Sequence, residues 1–184
     1  MTTTIETKNL VIRPTVFDDC RMFADWETRP EVTEFFTIDD GRTYEDGVTE
    51  FIKAWCDESK MYLTITRKPD GMVLGRIILT RIDPHYDSLD ITRIYIADVS
   101  ERDKGYGTEA LRGVLEYAFL NLHTERVTID HFIANRKAAM LYEKLGFKNE
   151  GVMRHAAKKN GKYYDLQLKS MTREEYLDTI HTID

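Results

Sequence analysis

The sequence predicts a mixed α/β fold built on a largely antiparallel sheet. Three consecutive segments, at 61–66, 72–82 and 89–98, have the composition and period of strands, and a Pro-Asp-Gly turn joins the first two. Segments with helical periodicity precede and follow this meander. The chain has 184 residues and contains no linker or internal repeat, so we expect a single domain over 1–184.

The elements are predicted in the order β-α-α-β-β-β-α-β-α-β-β, with a short helix at the end. Besides the meander we expect a strand at 9–14, a helix within 15–26, a helix opening at Thr43, a helix after Gly107, a strand at 125–134, a helix at 135–147, a hairpin that turns at Asn160-Gly161 and a helix at 172–180. Capping boxes are predicted at Thr15/Asp18, Thr43/Asp46 and Thr172/Glu175. Asn135 is placed to cap the helix that follows it.

Composition narrows the class of protein. A hydrophobic content of 42% is that of a globular domain, and a formal net charge of −6 argues against a nucleic-acid binder. No apolar run approaches the roughly 18 residues of a membrane span, and the N-terminus lacks a signal-peptide pattern. Cys20 and Cys56 fall in helical patterns and are predicted to be reduced core thiols of a cytoplasmic protein.

The segment SERDKGYGTEALRGVLEYAF, at 100–119, places two glycines where a helix begins. Helix N-termini bind phosphate through unpaired N–H groups. The Walker pattern is absent. The dinucleotide pattern G-x-G-x-x-[GA] is matched by Gly105, Gly107 and Ala110, but it belongs at the first turn of a parallel βαβ unit rather than after an antiparallel meander. The third pattern is R-x-x-G-x-G, formed by Arg102 and the two glycines.

This third pattern resembles the pyrophosphate loop of the GNAT superfamily of N-acetyltransferases. The resemblance to the ribosomal-protein and polyamine acetyltransferase branch extends over the full chain, through LVIRP, IYIADVSERDKGYGTEAL, N-x-x-A at 135–138, LYEKLGF and NGKYYD. It implies a GNAT fold, with a mixed, mostly antiparallel central sheet and helices on both faces. It also implies that the strands at 89–98 and 125–134 splay apart.

The resemblance implies acetyl-CoA as co-substrate and no metal. A side chain at either glycine of the loop would hold the backbone away from the pyrophosphate, and the first turn of the helix favours an anion. The strand before the loop is expected to pair with the pantetheine arm as if the arm were an added strand. The residues predicted to bind acetyl-CoA are Ile94, Tyr95, Ile96, Arg102, Lys104, Gly105, Tyr106, Gly107, Thr108 and Asn135.

Acetyl transfer to an amine needs a base for the ammonium proton and an acid for the departing thiolate. Tyr142, two helical turns after Asn135, is the acid that the resemblance implies, although its spacing alone favours a core residue. Asp130 matches the position of a catalytic glutamate in ribosomal alanine acetyltransferases and is the predicted base; being one methylene shorter, it favours a water relay. His131 and Asp90 are alternatives, but His131 alternates to the opposite strand face from Asp130.

We therefore expect an acetyl-CoA-dependent N-acetyltransferase that acts on a primary amine, with a non-catalytic acetyl-CoA-sensing domain as the alternative. Neither nucleic acid nor membrane is an expected partner, and a homodimer is left open. Acidic residues in the segments that form the acceptor side of this family favour a cationic amine. These residues are Glu27, Glu31, Glu34, Asp39, Asp40, Asp83, Asp87 and Asp90.

Overall fold

The computed structural model describes residues 3–181 and is built on one eight-stranded sheet. The strands are β1 (Ile5–Glu6), β2 (Leu10–Pro14), β3 (Met61–Arg67), β4 (Val73–Asp83), β5 (Ser88–Ile96), β6 (Arg126–Phe132), β7 (Lys148–Lys159) and β8 (Lys162–Thr172). They lie in the order β1-β2-β3-β4-β5-β6-β8-β7. Only β5 and β6 run parallel among these neighbours. The predicted mostly antiparallel α/β fold is confirmed.

Helices cover both faces of the sheet, as predicted. They are α1 (Asp19–Trp26), α2 (Pro30–Thr33), α3 (Tyr44–Trp55), α4 (Tyr106–Glu116), α5 (Arg136–Lys144) and α6 (Arg173–His181). Side chains of α4, α5 and α6 share the main apolar core with β1–β6. Helices α1 and α2 pack a smaller cluster on the opposite face, against Tyr95 and Ala97. The short elements β1 and α2 were not predicted from the sequence.

The apolar stripe of α4 forms the centre of the larger core. Leu111, Val114, Leu115, Ala118 and Phe119 are all buried, and the helix continues after Glu116 as a single π turn over Tyr117–Asn121. Burying one large aliphatic or aromatic side chain contributes about 1.5–3 kcal/mol. This stripe therefore fixes α4 against the sheet and holds its N-terminus in place.

Most of the predicted helix and turn signals are confirmed. Thr43 and Asp46 form a reciprocal capping box at the start of α3, and Thr172 and Glu175 do the same at α6. The Asn135 side chain accepts a hydrogen bond from the backbone N–H of Ala138 at 3.1 Å. Asn160 and Gly161 both have positive φ, of 48° and 76°, as a type I′ turn requires.

The capping box predicted at Thr15 and Asp18 is wrong. Helix α1 begins at Asp19, whereas an N-cap at Thr15 would start it at position 16, and Asp18 makes no side-chain cap bond. The Asp19 carboxylate instead accepts the Val16 backbone N–H at 3.0 Å and pairs with Arg13 at 2.7 and 2.8 Å. A charge-assisted pair to a neighbouring strand thus sets the start of this helix.

The end of α3 is less buried than its apolar stripe predicts. Phe51 is buried, whereas Ile52 and Trp55 are 53% and 71% exposed. Cys56, which follows the helix, is also exposed, so only Cys20 is the core thiol expected of both. No helix within residues 3–181 is long and apolar enough to cross a bilayer.

The sheet opens between β5 and β6. These strands pair over Ser88–Ile91 and Arg126–Ile129, and beyond those residues they continue without pairing to each other. A β-bulge lies where the separation starts: Ile78 pairs with Arg93, and Leu79 pairs with Ile91, which leaves Thr92 as the extra residue. The predicted splay of these two strands is confirmed.

Candidate active site

The loop after β5 ends on a glycine in the left-handed region. Gly105 is the N-cap of α4 with φ of 89°, a conformation that strains residues with a Cβ. Because glycine has no side chain, it cannot cap the helix, and the first-turn N–H groups of Tyr106, Gly107 and Thr108 have no intrahelical partner. Helices α3 and α5, in contrast, carry side-chain caps. The start of α4 is thus suited to an anion.

Gly107 has no structural reason of its own to be glycine. A Cβ built there would have only Ile96 Cγ1 within 4 Å, at 3.9 Å, which is an ordinary contact. Its φ lies outside the left-handed region that Gly105 occupies. The glycine is therefore explained better by a ligand that approaches the backbone than by the packing of the protein. A pyrophosphate group fits this loop.

The cationic residues of the loop are already engaged. Arg102 turns back to the end of β5, where Nε donates to the Ile96 carbonyl at 2.9 Å and Nη2 donates to the Ala97 carbonyl at 3.1 Å. Lys104 pairs with Glu101 at 3.0 Å. Arg102 thus fastens the loop to the strand, and the assistance of both cations to a bound pyrophosphate stays a prediction.

The predicted pantetheine strand lies in the opened part of the sheet. Ile94, Tyr95 and Ile96 pair with β4 on one edge and lie beyond the last β5–β6 pair on the other. The Tyr95 side chain turns toward α1, and its hydroxyl donates to Glu27 at 3.2 Å. Apart from the Ile96 carbonyl, which accepts from Arg102, the edge that does not pair with β6 has backbone groups for an added extended segment. It leads directly into the loop that precedes α4.

Tyr142 lies buried on α5, close to the second opened strand. Its ring centroid is 5.8 Å from that of His131 and 6.0 Å from that of Phe147. Burial raises the pKa of its hydroxyl above the ordinary value, and the Asp130 carboxylate raises the pKa further. Tyr142 therefore remains protonated at neutral pH and can donate a hydrogen bond. Because the Asp130 carboxylate acts on the Tyr142 hydroxyl, the two side chains lie near each other in the same site.

Asp130 and His131 take opposite positions on β6, as their alternation predicts. Asp130 is accessible, yet enough protein surrounds its carboxyl that desolvation raises its pKa, and the nearby Asp90 raises it further. His131 is buried, with Nδ1 at 2.9 Å from the Phe132 carbonyl. Asp90 is paired with Arg81 at 2.8 Å and accepts from Thr128. Of the two candidate carboxylates, Asp130 is thus less engaged in bonds to the protein than Asp90.

Five of the eight acidic residues predicted to line the acceptor side are bonded within the protein. Glu27 is ion-paired to arginines, and Asp90 to Arg81. Asp39 and Asp40 accept from the backbone and side chain of Asn160, and Asp83 accepts from two backbone N–H groups. Glu31, Glu34 and Asp87 are exposed. Only Glu27 and Asp90 are compensated by cations, because an uncharged N–H donor does not neutralise a carboxylate. The charge argument for a cationic acceptor therefore rests on the other six residues.

Sequence reasoning missed a buried group of charges on the α1–α3 side of the sheet. We call it the arginine cluster; it consists of Glu27, Arg42, Glu50, Arg76 and Arg93. Glu27 meets the three arginines at 2.9–3.3 Å, and Glu50 pairs with Arg42. The two glutamates also accept the hydroxyls of two tyrosines, at 2.9 and 3.2 Å. An available signal was the single arginine within each of the strand segments LGRIIL and ITRIYI.

Burial and charge together determine how the arginine cluster ionises. Desolvation alone would raise the pKa of Glu50, but Arg93 and Arg42 outweigh it and lower the pKa to about 2. The Arg76 guanidinium lies 4.7 and 4.8 Å from the ring centroids of Phe23 and Tyr62. Glu50 is thus ionised at neutral pH, and the cluster is held by ion pairs and by cation–π contacts. Within residues 3–181 no group of three His, Cys, Asp or Glu side chains is placed to hold a metal ion.

Comparison with known proteins agrees with this geometry. Residues 9–148 match the family model of the acetyltransferase (GNAT) domain. The uncharacterized N-acetyltransferase p20 of Bacillus licheniformis is 23% identical over 176 residues, which cover 94% of this chain and 98% of that protein. The spermidine N(1)-acetyltransferase of Vibrio cholerae is 27% identical over 106 residues, 58% of this chain and 60% of that one.

The fold is shared with solved structures. The crystal structure of spermidine N-acetyltransferase from Vibrio cholerae, in complex with CoA and spermine, superposes with a TM-score of 0.83 at 20% identity. The match covers 93% of this chain and 99% of that one. At this identity the likeness concerns the fold alone. With the family match over residues 9–148, the chain belongs to the GNAT family and is an N-acetyltransferase.

Proposed function

We propose that this enzyme transfers an acetyl group from acetyl-CoA to a primary amine by direct attack on the thioester. The observation that carries the proposal is the continuity of two features. The unpaired edge of β5 at Ile94–Ile96 leads into the glycine-capped start of α4, so one extended co-substrate can engage both. Gly107 supports it, since the packing of the protein does not require glycine there.

In the proposed reaction, Asp130 accepts a proton from the ammonium form of the acceptor, directly or through one water. Desolvation by the surrounding protein and the charge of Asp90 raise the pKa of this carboxyl, which makes it a stronger base than an ordinary aspartate. The neutral nitrogen then attacks the thioester carbon and is positively charged in the adduct. As the C–S bond breaks, the nitrogen releases its second proton to water, which balances the proton that the sulfur takes up, and the amide forms. Asn135, at the N-cap of α5, is proposed to contact the co-substrate while it caps that helix.

Tyr142 is the proposed donor to the departing sulfur. Its raised pKa keeps the hydroxyl protonated, so it stabilises the developing thiolate first by a hydrogen bond and then by proton transfer. The location on α5, beside the opened strand β6, supports this role. No metal takes part in the proposed reaction.

The acceptor is proposed to be a protein N-terminus, a polyamine or another small amine. The polyamine is supported by the spermidine acetyltransferase relative and by the spermine in the solved structure of the same fold. We further propose that the enzyme works in the cytoplasm, and a homodimer remains compatible with the proposal.

Coenzyme A release with a panel of amines tests this function. We expect release that depends on both acetyl-CoA and an amine, together with saturable acetyl-CoA binding in calorimetric titration. Binding of acetyl-CoA without release for any amine would favour the sensing domain. Binding of a nicotinamide cofactor but not of coenzyme A would contradict the proposal altogether.

A further inference from the structure

The arginine cluster lacks one negative charge. Three guanidinium groups face two carboxylates, in a region where the Glu27 side chain is 1% exposed and Arg76 4%. A buried net charge is costly unless a partner compensates it. Among residues 3–181, the buried Nε of Arg76 has no hydrogen-bond partner, whereas Arg42 Nε lies 3.3 Å from Glu27. The cluster therefore has one positive charge in excess of its own carboxylates.

Arg93 is the member of the cluster nearest the opened sheet. It follows the bulge at Thr92 and directly precedes the unpaired edge at Ile94–Ile96. Both glutamates of the cluster meet Arg93 through Nη1, at 3.0 and 3.8 Å. The opposite edge of the guanidinium, formed by Nε and Nη2, is thus left for a second partner. The phosphate loop follows the other end of the same strand edge, so Arg93 lies toward the acetyl end.

The segment between α2 and α3 lies beside Arg93. The guanidinium carbon of Arg93 lies 5.8 Å from the ring centroid of Phe36. Phe35 packs against Phe132 of β6, with ring centroids 6.4 Å apart. Lys159 of β7 donates to the Thr33 carbonyl at 2.6 Å. The two phenylalanines therefore contact both opened strands, and the segment is fastened to the β7–β8 hairpin.

The β7–β8 hairpin has a basic tip. Residues 152–162 contain four cationic side chains and no acidic one. The cations are Arg154, Lys158, Lys159 and Lys162. The tip is bonded to the segment beside Arg93 through Lys159 and Asn160, and the carboxylates of Asp39 and Asp40 lie against it. The free edge of Arg93, rather than the charge of the tip, therefore distinguishes this side of the opened sheet.

We infer that the acceptor amine carries a carboxylate, which Arg93 binds through its free guanidinium edge. The acceptor class is then an amino acid or a short peptide rather than a polyamine. Arginine binds a carboxylate through two parallel N–H···O bonds. A carboxylate matches the single excess charge of the arginine cluster, whereas a phosphate monoester would bring about two. The inference rests on the proposed acetyl transfer to an amine.

Matched acceptor pairs test it. Coenzyme A release is measured for a series of amino acids and dipeptides, each against its C-terminal amide, and for spermidine and O-phosphoethanolamine. We expect the best acceptor to be a carboxylate whose kcat/KM exceeds that of its amide by about 10- to 100-fold, as charge-assisted hydrogen bonds would give. The amine of the amide is less basic, so a larger fraction of it is neutral at a given pH. Basicity alone would therefore favour the amide, and a preference for the carboxylate cannot be explained by it.

Two variants separate recognition from folding. Arg93→Lys keeps a positive charge beside Glu27 but loses the paired donors, so the carboxylate-to-amide ratio should fall toward one while acetyl-CoA affinity is kept. A merely structural role would lower both rates and leave the ratio unchanged. Arg112→Gln removes one charge from the exposed side of α4, across the sheet from the cluster, and should leave the ratio as it is.

The outcomes distinguish this inference from the function on which it rests. Faster acetylation of spermidine, O-phosphoethanolamine or the amides would overturn the carboxylate inference and leave the acetyltransferase intact. An unchanged ratio in folded Arg93→Lys would do the same. If the protein binds acetyl-CoA but acetylates no amine of the series, the carboxylate inference fails; the proposed function fails as well if longer peptides with a free N-terminus are not acetylated either.

Discussion

Replacing Gly107 tests the phosphate loop, because this position separates ligand binding from folding. A Cβ there meets only Ile96 Cγ1 at 3.9 Å, so the protein itself has room for a side chain. Close approach of a pyrophosphate to the first turn of α4 leaves no such room. We therefore expect Gly107→Ala and Gly107→Val to fold and to lose acetyl-CoA affinity, with valine the more severe.

The substitution should weaken acetyl-CoA binding but leave the stability of the fold unchanged or slightly increased. Hydrogen bonds to a charged group are worth about 1.5–3 kcal/mol each, so the loss of two costs about 3–6 kcal/mol. At about 1.4 kcal/mol per factor of ten, the Kd for acetyl-CoA should rise by roughly 100- to 10,000-fold. In the helix, by contrast, alanine is favoured over glycine by about 0.5–1 kcal/mol. Gly107→Ala should thus melt at the same temperature as the wild type or slightly above it.

Calorimetric titration with acetyl-CoA and thermal unfolding measure the two effects separately. Gly113→Ala is the matched control on the same helix, because its Cβ would lie 2.7 Å from Thr7 Cγ2 and 3.3 Å from Ile5 Cγ2. That variant should lose stability and keep its affinity for acetyl-CoA. A folded Gly107→Val protein that binds acetyl-CoA as tightly as the wild type would refute the reasoning.

Three further predictions concern titratable groups. Tyr142→Phe keeps the ring and removes the hydroxyl, so kcat should fall about 100-fold at constant acetyl-CoA affinity; an unchanged kcat would leave Tyr142 as a core residue only. In Asp130→Asn, the acid limb of the pH–rate profile, which burial and Asp90 move above the ordinary aspartate pKa, should disappear; a surviving limb would assign the proton to another group. The folded-state pKa of Glu50 is about 2, below the ordinary 4.5, so its ion pairs stabilise the fold above pH 4.5 and are lost as the pH falls toward 2. Urea unfolding of Glu50→Gln should give a free energy of unfolding lower by about 2–3 kcal/mol at neutral pH and less dependent on acid; equal acid sensitivity of the two proteins would contradict this.

The parts of the fold that follow from the sequence are those fixed by local backbone chemistry. Asn160 and Gly161 form the expected turn because both adopt the positive φ that these residues tolerate. The cap at Thr43 and the stripe of α4 depend on residues three and four positions apart, which a helix brings together whatever surrounds it. The splay between β5 and β6 is different in kind, because the resemblance to a family predicted it.

The expectations that fail concern contacts between distant segments. Thr15 has a cap-like spacing to Asp18, but its hydroxyl lies 3.1 Å from that of Thr64 in β3, and α1 starts beyond Asp18. The apolar stripe of α3 predicts burial at Trp55, yet its side chain is 71% exposed in the folded chain. In both cases a local pattern is consistent with two outcomes, and tertiary packing selects one.

The sign of the charge on the acceptor side illustrates why composition is a weak guide to recognition. A net charge of −6 and a series of acidic residues near the first helices predicted an acidic surface there. In the folded chain Glu27 is neutralised by arginines, two of which enter from strands and contribute nothing to a count of local charge. Asp39 and Asp40 are bonded to the tip of the basic hairpin. What an incoming acceptor meets is the charge left after this pairing. We infer that this remainder is positive at Arg93, where an acceptor with a carboxylate would be bound in preference to a polyamine.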